Sequence, residues 1–396
     1  MTTPPTSVPL VRFGVIGCGL MGREFASAVG RWCHLGDIGF RPELVAACDS
    51  NPAALEFFRR HVPAARLETD YRRLLDDPAI DAIYCAVPHH LHETLYTQII
   101  SAGKHLLGEK PFGIDLAAGR RIVAVCRQHP RVLVRCSSEL PFFPGGVRLH
   151  QLIREQAFGR ILEVESGLWH SSDLNPDKPI NWKRQVQFCG AYGCLGDLGM
   201  HALHLPLRAG WYPSHVTAHL TKAVSHRPDG KGGRVPCDTW DNGTLLCRVP
   251  VAGDAPYDFQ MTITTKRIAP GHANTWFCRV YGTKLSVEFS TQFPKTLRVL
   301  PYAPGGPQAW HVLDLGWESA YPGITGSIFE FGFSDAILMM WAAFCDELLH
   351  GRDGMKQPLY CVTPDEALAQ HELFTAALES EADRSTVPLR QRAKVV

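Results

Sequence analysis

Three short stretches carry side chains whose types and spacing suit proton and hydride chemistry. In Gly108-Glu109-Lys110-Pro111-Phe112-Gly113 a lysine stands between an acid and a proline, directly after the apolar run His105–Leu107. An ammonium held there can polarise a substrate oxygen and relay its proton. Pro111 restricts the backbone, and the Lys–Pro bond is a candidate for the cis form. In GCLGDLGMHALHLP, residues 193–206, Asp197, His201 and His204 fall at i, i+4 and i+7 and so share one helix face. Histidine has the intrinsic pKa to take a proton from an alcohol near neutrality. These three residues also have the types of a metal set, but no fourth ligand is evident and Pro206 threatens the helix, so no metal is assigned. The third stretch, Gly17-Cys18-Gly19-Leu20-Met21-Gly22, has the spacing G-x-G-x-x-G.

The glycines gain meaning from the elements around them. Val11–Ile16, Leu44–Cys48, Ile80–Val87, Lys104–Leu107 and Arg131–Cys136 read as strands buried on both faces. Helix-period segments separate them at Met21–Trp32, Pro52–His61, Leu91–Ala102 and Asp115–His129. That alternation predicts a doubly wound parallel α/β sheet of the Rossmann type. Gly17 then makes the tight turn, Gly19 lets a pyrophosphate approach, and Gly22 lets helix pack on strand. Cys18, Leu20 and Met21 line the same turn. Asp49, ending the second strand, suits the ribose hydroxyls and repels a 2′-phosphate, which favours NAD over NADP. It comes 27 residues after Gly22, against the usual ~20, and Arg31–Pro42 reads as the inserted loop.

Beyond Pro141–Pro144 the pattern changes. A helix is expected over Gly146–Glu155, followed by strands in RILEVESGLWH, Val216–Val224, Thr239–Val249, Tyr257–Thr265, Trp276–Tyr281, Leu285–Phe289 and Trp310–Leu313. Helices at Asp335–Leu349 and Pro364–Ala382 close the chain. This predicts a second, α+β domain with a large open, mixed but mostly antiparallel sheet. The expected divisions are a flexible tail over 1–9, a nucleotide domain over 10–140 and a substrate and oligomerisation domain over 141–396. Loop His226–Pro236, polar and Gly-rich, reads as mobile.

Composition narrows the class. The 396 residues carry 40 Lys+Arg against 39 Asp+Glu, a net charge of +1 that gives no footprint for nucleic acid or anionic membrane. Thirteen cysteines with no C-x-x-C pair suit a reducing compartment. The uncharged apolar run Ala336–Cys345 is too short to span a bilayer, and MTTPPTSVPL lacks a secretion signal. A cytoplasmic protein without membrane or nucleic-acid partners is expected.

Through VIGCGLMG (15–22), DAIYCAVPHHLH (81–92), AGKHLLGEKPFG (102–113) and GCLGDLGMH (193–201), nearly the whole chain resembles the glucose–fructose oxidoreductase, inositol dehydrogenase and rhizopine-catabolism family, Gfo/Idh/MocA. The resemblance implies NAD(P)-dependent oxidation or reduction of a secondary alcohol of a sugar, inositol or related polyol. It implies Lys110 as the cation on the substrate oxygen, with Glu109 and Lys110 beside the cofactor. It makes His201 the general base and Asp197 the residue that orients it or the substrate. Pro88 and His92 match the family's turn near the nicotinamide ribose, while His89 stands where Asn is frequent. His204 replaces a frequent Asp and is carried as a substrate contact. Trp182 and Lys183, in INWKRQ, are candidates to stack on and bond a sugar ring. Two rivals remain open: NAD-assisted glycoside cleavage through transient oxidation, and a catalytically silent ligand sensor. A homodimer or homotetramer through the open sheet is expected.

Overall fold

The structure is a computed structural model that describes residues 8–253, 255–316, 319–325 and 331–390. The tail expected over 1–9 therefore lies outside the described residues except for Val8 and Pro9. Six parallel strands form the first sheet: β1 (Leu10–Ile16), β2 (Arg41–Cys48), β3 (Arg66–Glu68), β4 (Ala82–Cys85), β5 (His105–Gly108) and β6 (Val134–Cys136). Their order is β3-β2-β1-β4-β5-β6, with every neighbouring pair parallel. Helices α1 (Leu20–Gly30), α2 (Glu56–His61), α3 (Arg72–Leu75), α4 (His92–Ser101) and α5 (Leu116–Gln128) lie between the strands. The short β3 was not anticipated, because RLE has no apolar run to mark it.

Each strand sends alternate side chains to two different cores. Ile16, Ile83 and Leu106 join Leu95, Ile99 and Ile122 of α4 and α5 on one face. Phe13, Val15 and Tyr84 join Phe25 on the other. That second face is closed by a helix from the far end of the chain. The Trp341 ring lies 5.1 Å from Phe13 and 3.7 Å from Phe25, which in turn stacks on Tyr84 at 4.0 Å. The carrier helix has a continuous buried run from Ala336 to Glu347, so its all-round apolar sequence reflects contact on every side. Arg135 of β6 donates to Glu347 of the same helix, Nε to Oε2 at 2.8 Å.

Beyond β6 come α6 (Pro144–Arg154), β7 (Ile161–Trp169), α7 (Val186–Cys189), α8 (Cys194–Arg208), β8 (His215–Thr221), β9 (His226–Pro228), β10 (Arg234–Pro236), β11 (Asn242–Val251), β12 (Tyr257–Lys266), β13 (Thr275–Gly282), β14 (Leu285–Ser290), β15 (Thr296–Pro301), β16 (His311–Asp314), α9 (Phe333–His350), α10 (Pro364–Asp383) and β17 (Val387–Pro388). Nine strands form the second sheet in the order β16-β15-β14-β13-β7-β12-β11-β8-β17. Only β7 and β12 pair in parallel; the other pairs are antiparallel. Helix α8 lies on the inner face, where Leu195, Leu198 and Leu203 join the cluster of Leu245, Met261 and Ile263. Leu162 and Leu246 are exposed.

The segment His226–Pro236, expected as a mobile loop, is instead the hairpin β9–β10. Asp229 holds its turn by accepting from Lys231 N at 2.8 Å and Gly233 N at 2.9 Å. Arg227 is buried and donates to the carbonyls of Asp173 and Asn175, at 2.6 and 2.7 Å. A polar composition misled here because the polar groups satisfy one another.

Candidate active site

The glycine-rich turn follows β1 directly. Gly17 has φ +95°, and a Cβ there would lie 2.2 Å from Ala86 O. A Cβ on Gly22 would lie 2.1 Å from Gly17 O, whereas one on Gly19 would meet nothing within 4 Å. Two of the glycines are thus required by the fold, and the middle one leaves bare backbone facing open space. It is the N-cap of α1 and makes no side-chain cap bond, so the first N–H groups of the helix are free. Asp49 sits beside this turn, accepting from Cys18 N at 2.9 Å and Asn51 N at 2.8 Å. Burial and the Asp49 charge push the Cys18 thiol up to about 12, which makes it chemically quiet. A free helix N-terminus, an unobstructed backbone and an adjacent carboxylate fit the pyrophosphate and ribose of a dinucleotide.

At the ends of β4 and β5 the chain forms two interlocked turns. The Lys110–Pro111 bond is cis. Glu109 is buried and accepts from Tyr84 OH at 2.6 Å, while its carbonyl accepts from Tyr96 OH at 2.5 Å. His92 has Nδ1 2.7 Å from Pro111 O and Nε2 2.8 Å from Val87 O. Placed at the start of α4, it points beneath the turns and clasps the Pro88 turn to the Lys110 turn. Both ring nitrogens of His92, expected at the cofactor, face backbone carbonyls here, and the neutral imidazole donates to one of them.

Asp197 is the centre of the site. Gly193, with φ +56°, opens α8 where a Cβ would lie 2.6 Å from Trp240 N, and this close seat fixes the first turn of the helix. Asp197 Oδ1 accepts from Lys110 Nζ and from Lys183 Nζ, both at 3.0 Å, and Lys110 Nζ also donates to Asp197 O at 2.7 Å. Arg267 Nη2 lies 2.7 Å from Oδ2, as an ion pair too oblique for a straight hydrogen bond. Its Nη1 donates to Lys183 O at 3.0 Å. Burial alone would raise the pKa of Asp197, but Arg267, Lys110 and Lys183 outweigh it and hold the carboxyl well below the usual range. Burial likewise works against the Lys110 ammonium, yet Asp197 and Glu109 raise its pKa. Lys183 goes the other way, lowered by desolvation and by the two neighbouring cations.

His201 lies one turn further along α8. Its Nδ1 is 3.3 Å from Ser138 Oγ, its Nε2 is 4.0 Å from Glu139 Oε1, and its carbonyl accepts from Trp276 Nε1 at 2.9 Å. Burial and the Lys110 charge keep the imidazole pKa well below its ordinary value. Trp182 stands edge-on to His89, with ring centres 4.8 Å apart, and His89 Nδ1 is 3.0 Å from Cys189 O. His204 does not join this group. Its Nε2 meets Tyr360 O at 3.1 Å, and burial and Arg208 lower its pKa to about 3. Although it shares a helix face with Asp197, its Nε2 is turned to the segment before α10, and its Nδ1 is buried without a hydrogen-bond partner among the described residues. Among the described residues, no group of three or more His, Cys, Asp or Glu is arranged to hold a metal.

The structure thus gathers Lys110, Lys183, Asp197 and His201. It adds Arg267, Ser138 and Glu139, which sequence reasoning missed. Arg267 follows a plain alternating strand, and Glu139 lies in SSELPF, where nothing in the spacing marks a site.

Comparison with known proteins bears on the fold and the family. Residues 11–136 match the oxidoreductase family described by an NAD-binding Rossmann fold, and residues 147–288 match the GFO/IDH/MocA C-terminal domain. The levoglucosan dehydrogenase of Pseudarthrobacter phenanthrenivorans is 24% identical over 300 residues, 72% of this chain and 75% of that protein. The inositol 2-dehydrogenase of Acidothermus cellulolyticus is 30% identical over 253 residues, 64% and 66% of the two chains. A solved levoglucosan dehydrogenase in complex with NADH superposes with a TM-score of 0.84 at 21% identity, covering 97% of this chain and 100% of that one. Two matching domains in this order show that the chain belongs to the Gfo/Idh/MocA family of NAD-binding oxidoreductases.

Proposed function

We propose that this protein is an NAD-dependent dehydrogenase acting on a secondary alcohol, or the corresponding ketone, of a sugar or polyol. The observation that carries the reading is the pairing of a lysine held cationic against Asp197 with a histidine held neutral one turn of α8 beyond it. Two of the three Lys110 N–H groups are committed to Asp197, leaving the third for a substrate oxygen. A fixed positive charge there favours the alkoxide that develops as hydride departs. His201, uncharged at rest and with Nδ1 beside Ser138, has Nε2 left to receive the hydroxyl proton. Trp182 and the partly exposed Lys183 suit the apolar face and the hydroxyls of a sugar ring. A nicotinamide held at the glycine turn would supply the hydride acceptor; the chain's own residues position the substrate, polarise its oxygen and take up the proton. The names of the relatives, levoglucosan and inositol dehydrogenases, support a sugar or polyol substrate. The carboxylate of Asp49 supports NAD over NADP. The open face of the nine-stranded sheet supports assembly through a second copy.

The test starts with heat unfolding in NAD, NADH, NADP and NADPH separately. A ligand at 100 times its Kd adds about 2.7 kcal/mol to stability. A polyol panel monitored by NADH absorbance follows, on the parent and on Lys110→Ala and His201→Ala. Both variants are expected to bind NADH and lose turnover. Full turnover in either one refutes the assigned roles.

A further inference from the structure

One buried acid is not used by the scheme above. Glu139 begins the turn between β6 and α6, directly after Ser138, and is 4% exposed. The two consecutive residues bracket His201: Ser138 Oγ at Nδ1, 3.3 Å, and Glu139 Oε1 at Nε2, 4.0 Å. A carboxyl buried beside a proton-accepting imidazole is either its counter-charge or its proton store. We propose that Glu139 is the proton-holding and positioning partner of His201, taking at Oε1 the proton that Nε2 has received from the substrate. This rests on the dehydrogenase reading.

The balance of the step is simple. In oxidation the substrate O–H breaks and Nε2–H forms, while hydride leaves carbon for the nicotinamide, the named oxidant. Nε2–H then breaks and Oε1–H forms through one bridging water, or once the pair closes from its resting 4.0 Å to hydrogen-bond distance; His201 returns to its neutral state and Glu139 is left as the acid, which later yields its proton to water. Without that transfer an imidazolium would persist next to the Lys110 ammonium. Ketone reduction runs the same path backwards and needs Glu139 protonated at the start.

The groups facing Glu139 agree with a proton-storing role. Glu109 at the end of β5 is a like charge, itself bonded to Tyr84 of β4; Lys110 opposes it, and His201 faces it from α8. Burial first, and Glu109 second, raise the carboxyl pKa to about 7. Oxidation should therefore speed up as pH rises through that value, and reduction should slow down.

The test compares the parent with Glu139→Gln and Glu139→Asp in complex with NAD or NADH, on levoglucosan and myo-inositol and the ketones derived from them. In Glu139→Gln, kcat is expected to fall on the order of ten-fold, because His201 still accepts the first proton. Both pH inflections are expected to flatten, with KM and NADH affinity within about two-fold, and the Asp variant is expected to recover part of the rate. Infrared difference spectra supply a readout independent of turnover: a protonated carboxyl band that Glu139→Gln abolishes, that His201→Gln shifts, and that fades above pH about 7. Unchanged kcat and inflections in the Gln variant overturn the proposal. Absence of the band overturns it whatever the turnover. Presence of the band with no polyol turned over supports the Glu139–His201 pair and refutes the dehydrogenase reading instead.

Discussion

Replacing Asp197 with asparagine keeps the shape of the site and deletes the carboxylate that three cations share. In the folded protein Lys110, Lys183 and Arg267 converge on one carboxylate that is 2% exposed. Removing one partner of a buried pair typically costs about 3–5 kcal/mol, since the remaining charge is left without compensation. Here more than one charge is stranded, and only Lys183, with its side chain 37% exposed, can turn to water. We therefore expect a loss of about 3–5 kcal/mol at neutral pH, seen in urea titration as a lower midpoint with an unchanged slope. At about 2 °C per kcal/mol for a large domain, the melting temperature falls by about 6–10 °C. The loss should shrink as pH rises toward the lysine range, because Lys183, already lowered, escapes by giving up its proton. A double variant with Arg267→Met should be more stable than Asp197→Asn alone, a coupling that a double-mutant cycle isolates. If Asp197→Asn unfolds within about 1 kcal/mol of the parent, the carboxylate does not hold the cations together and the electrostatic account of the site fails.

Gly19→Ala should leave thermal stability unchanged, because the new Cβ meets nothing within 4 Å; NADH affinity measured by titration should still fall on the order of ten-fold or more as the methyl blocks the pyrophosphate. Asp49→Ser should weaken NADH binding more than NADPH binding, and equal losses would remove its ribose role. Glu366, paired with Arg208 at 2.6 Å, has its pKa held near 2 by the guanidinium despite burial. The stability it adds is complete above about 4.5 and disappears as pH falls toward 2, so Arg208→Met should flatten acid unfolding in that window. Glu139 has the opposite sign. The unfolded chain releases that proton near 4.5 and the folded one near 7, so stability declines between those values. Glu139→Gln should be the more stable form at pH 8, by up to about 3 kcal/mol in urea titration.

The nucleotide half was legible in the sequence because each of its signals is local. Continuous apolar strands, a positive-φ glycine and a helix starting without a cap lie within 30 residues of one another and need no tertiary context. Glu109 and Lys110 were legible for the same reason, as turn residues at a strand end. Arg267 was not, because it is 70 residues from Asp197 in the chain and the packing of α8 on β12 brings the two together. The setting of His92 was not legible either: its ring lies between Pro111 O of the cis turn and Val87 O, a contact made only once the two turns meet. The His226–Pro236 hairpin escaped notice because its order comes from side chain–backbone bonds, which leave no periodic trace.

On the proposed roles, what divides the labour between Lys110 and His201 is a single arrangement of charge rather than two separate environments. Both side chains are buried, and desolvation alone would strip the charge from each. The lysine escapes because its ammonium sits 3.0 Å from Asp197 Oδ1 and feels Glu109 behind it. The same ammonium then acts on the imidazole, adding its repulsion to the burial that already disfavours protonation. Fixing the cation therefore also fixes the base in its neutral form. Two titratable groups pushed apart in this way are the physical requirement for an oxygen to be polarised by one and deprotonated by the other. Asp197 governs both assignments although it transfers no proton, and this is why a substitution there should disturb stability, the charge of Lys110 and the basicity of His201 together.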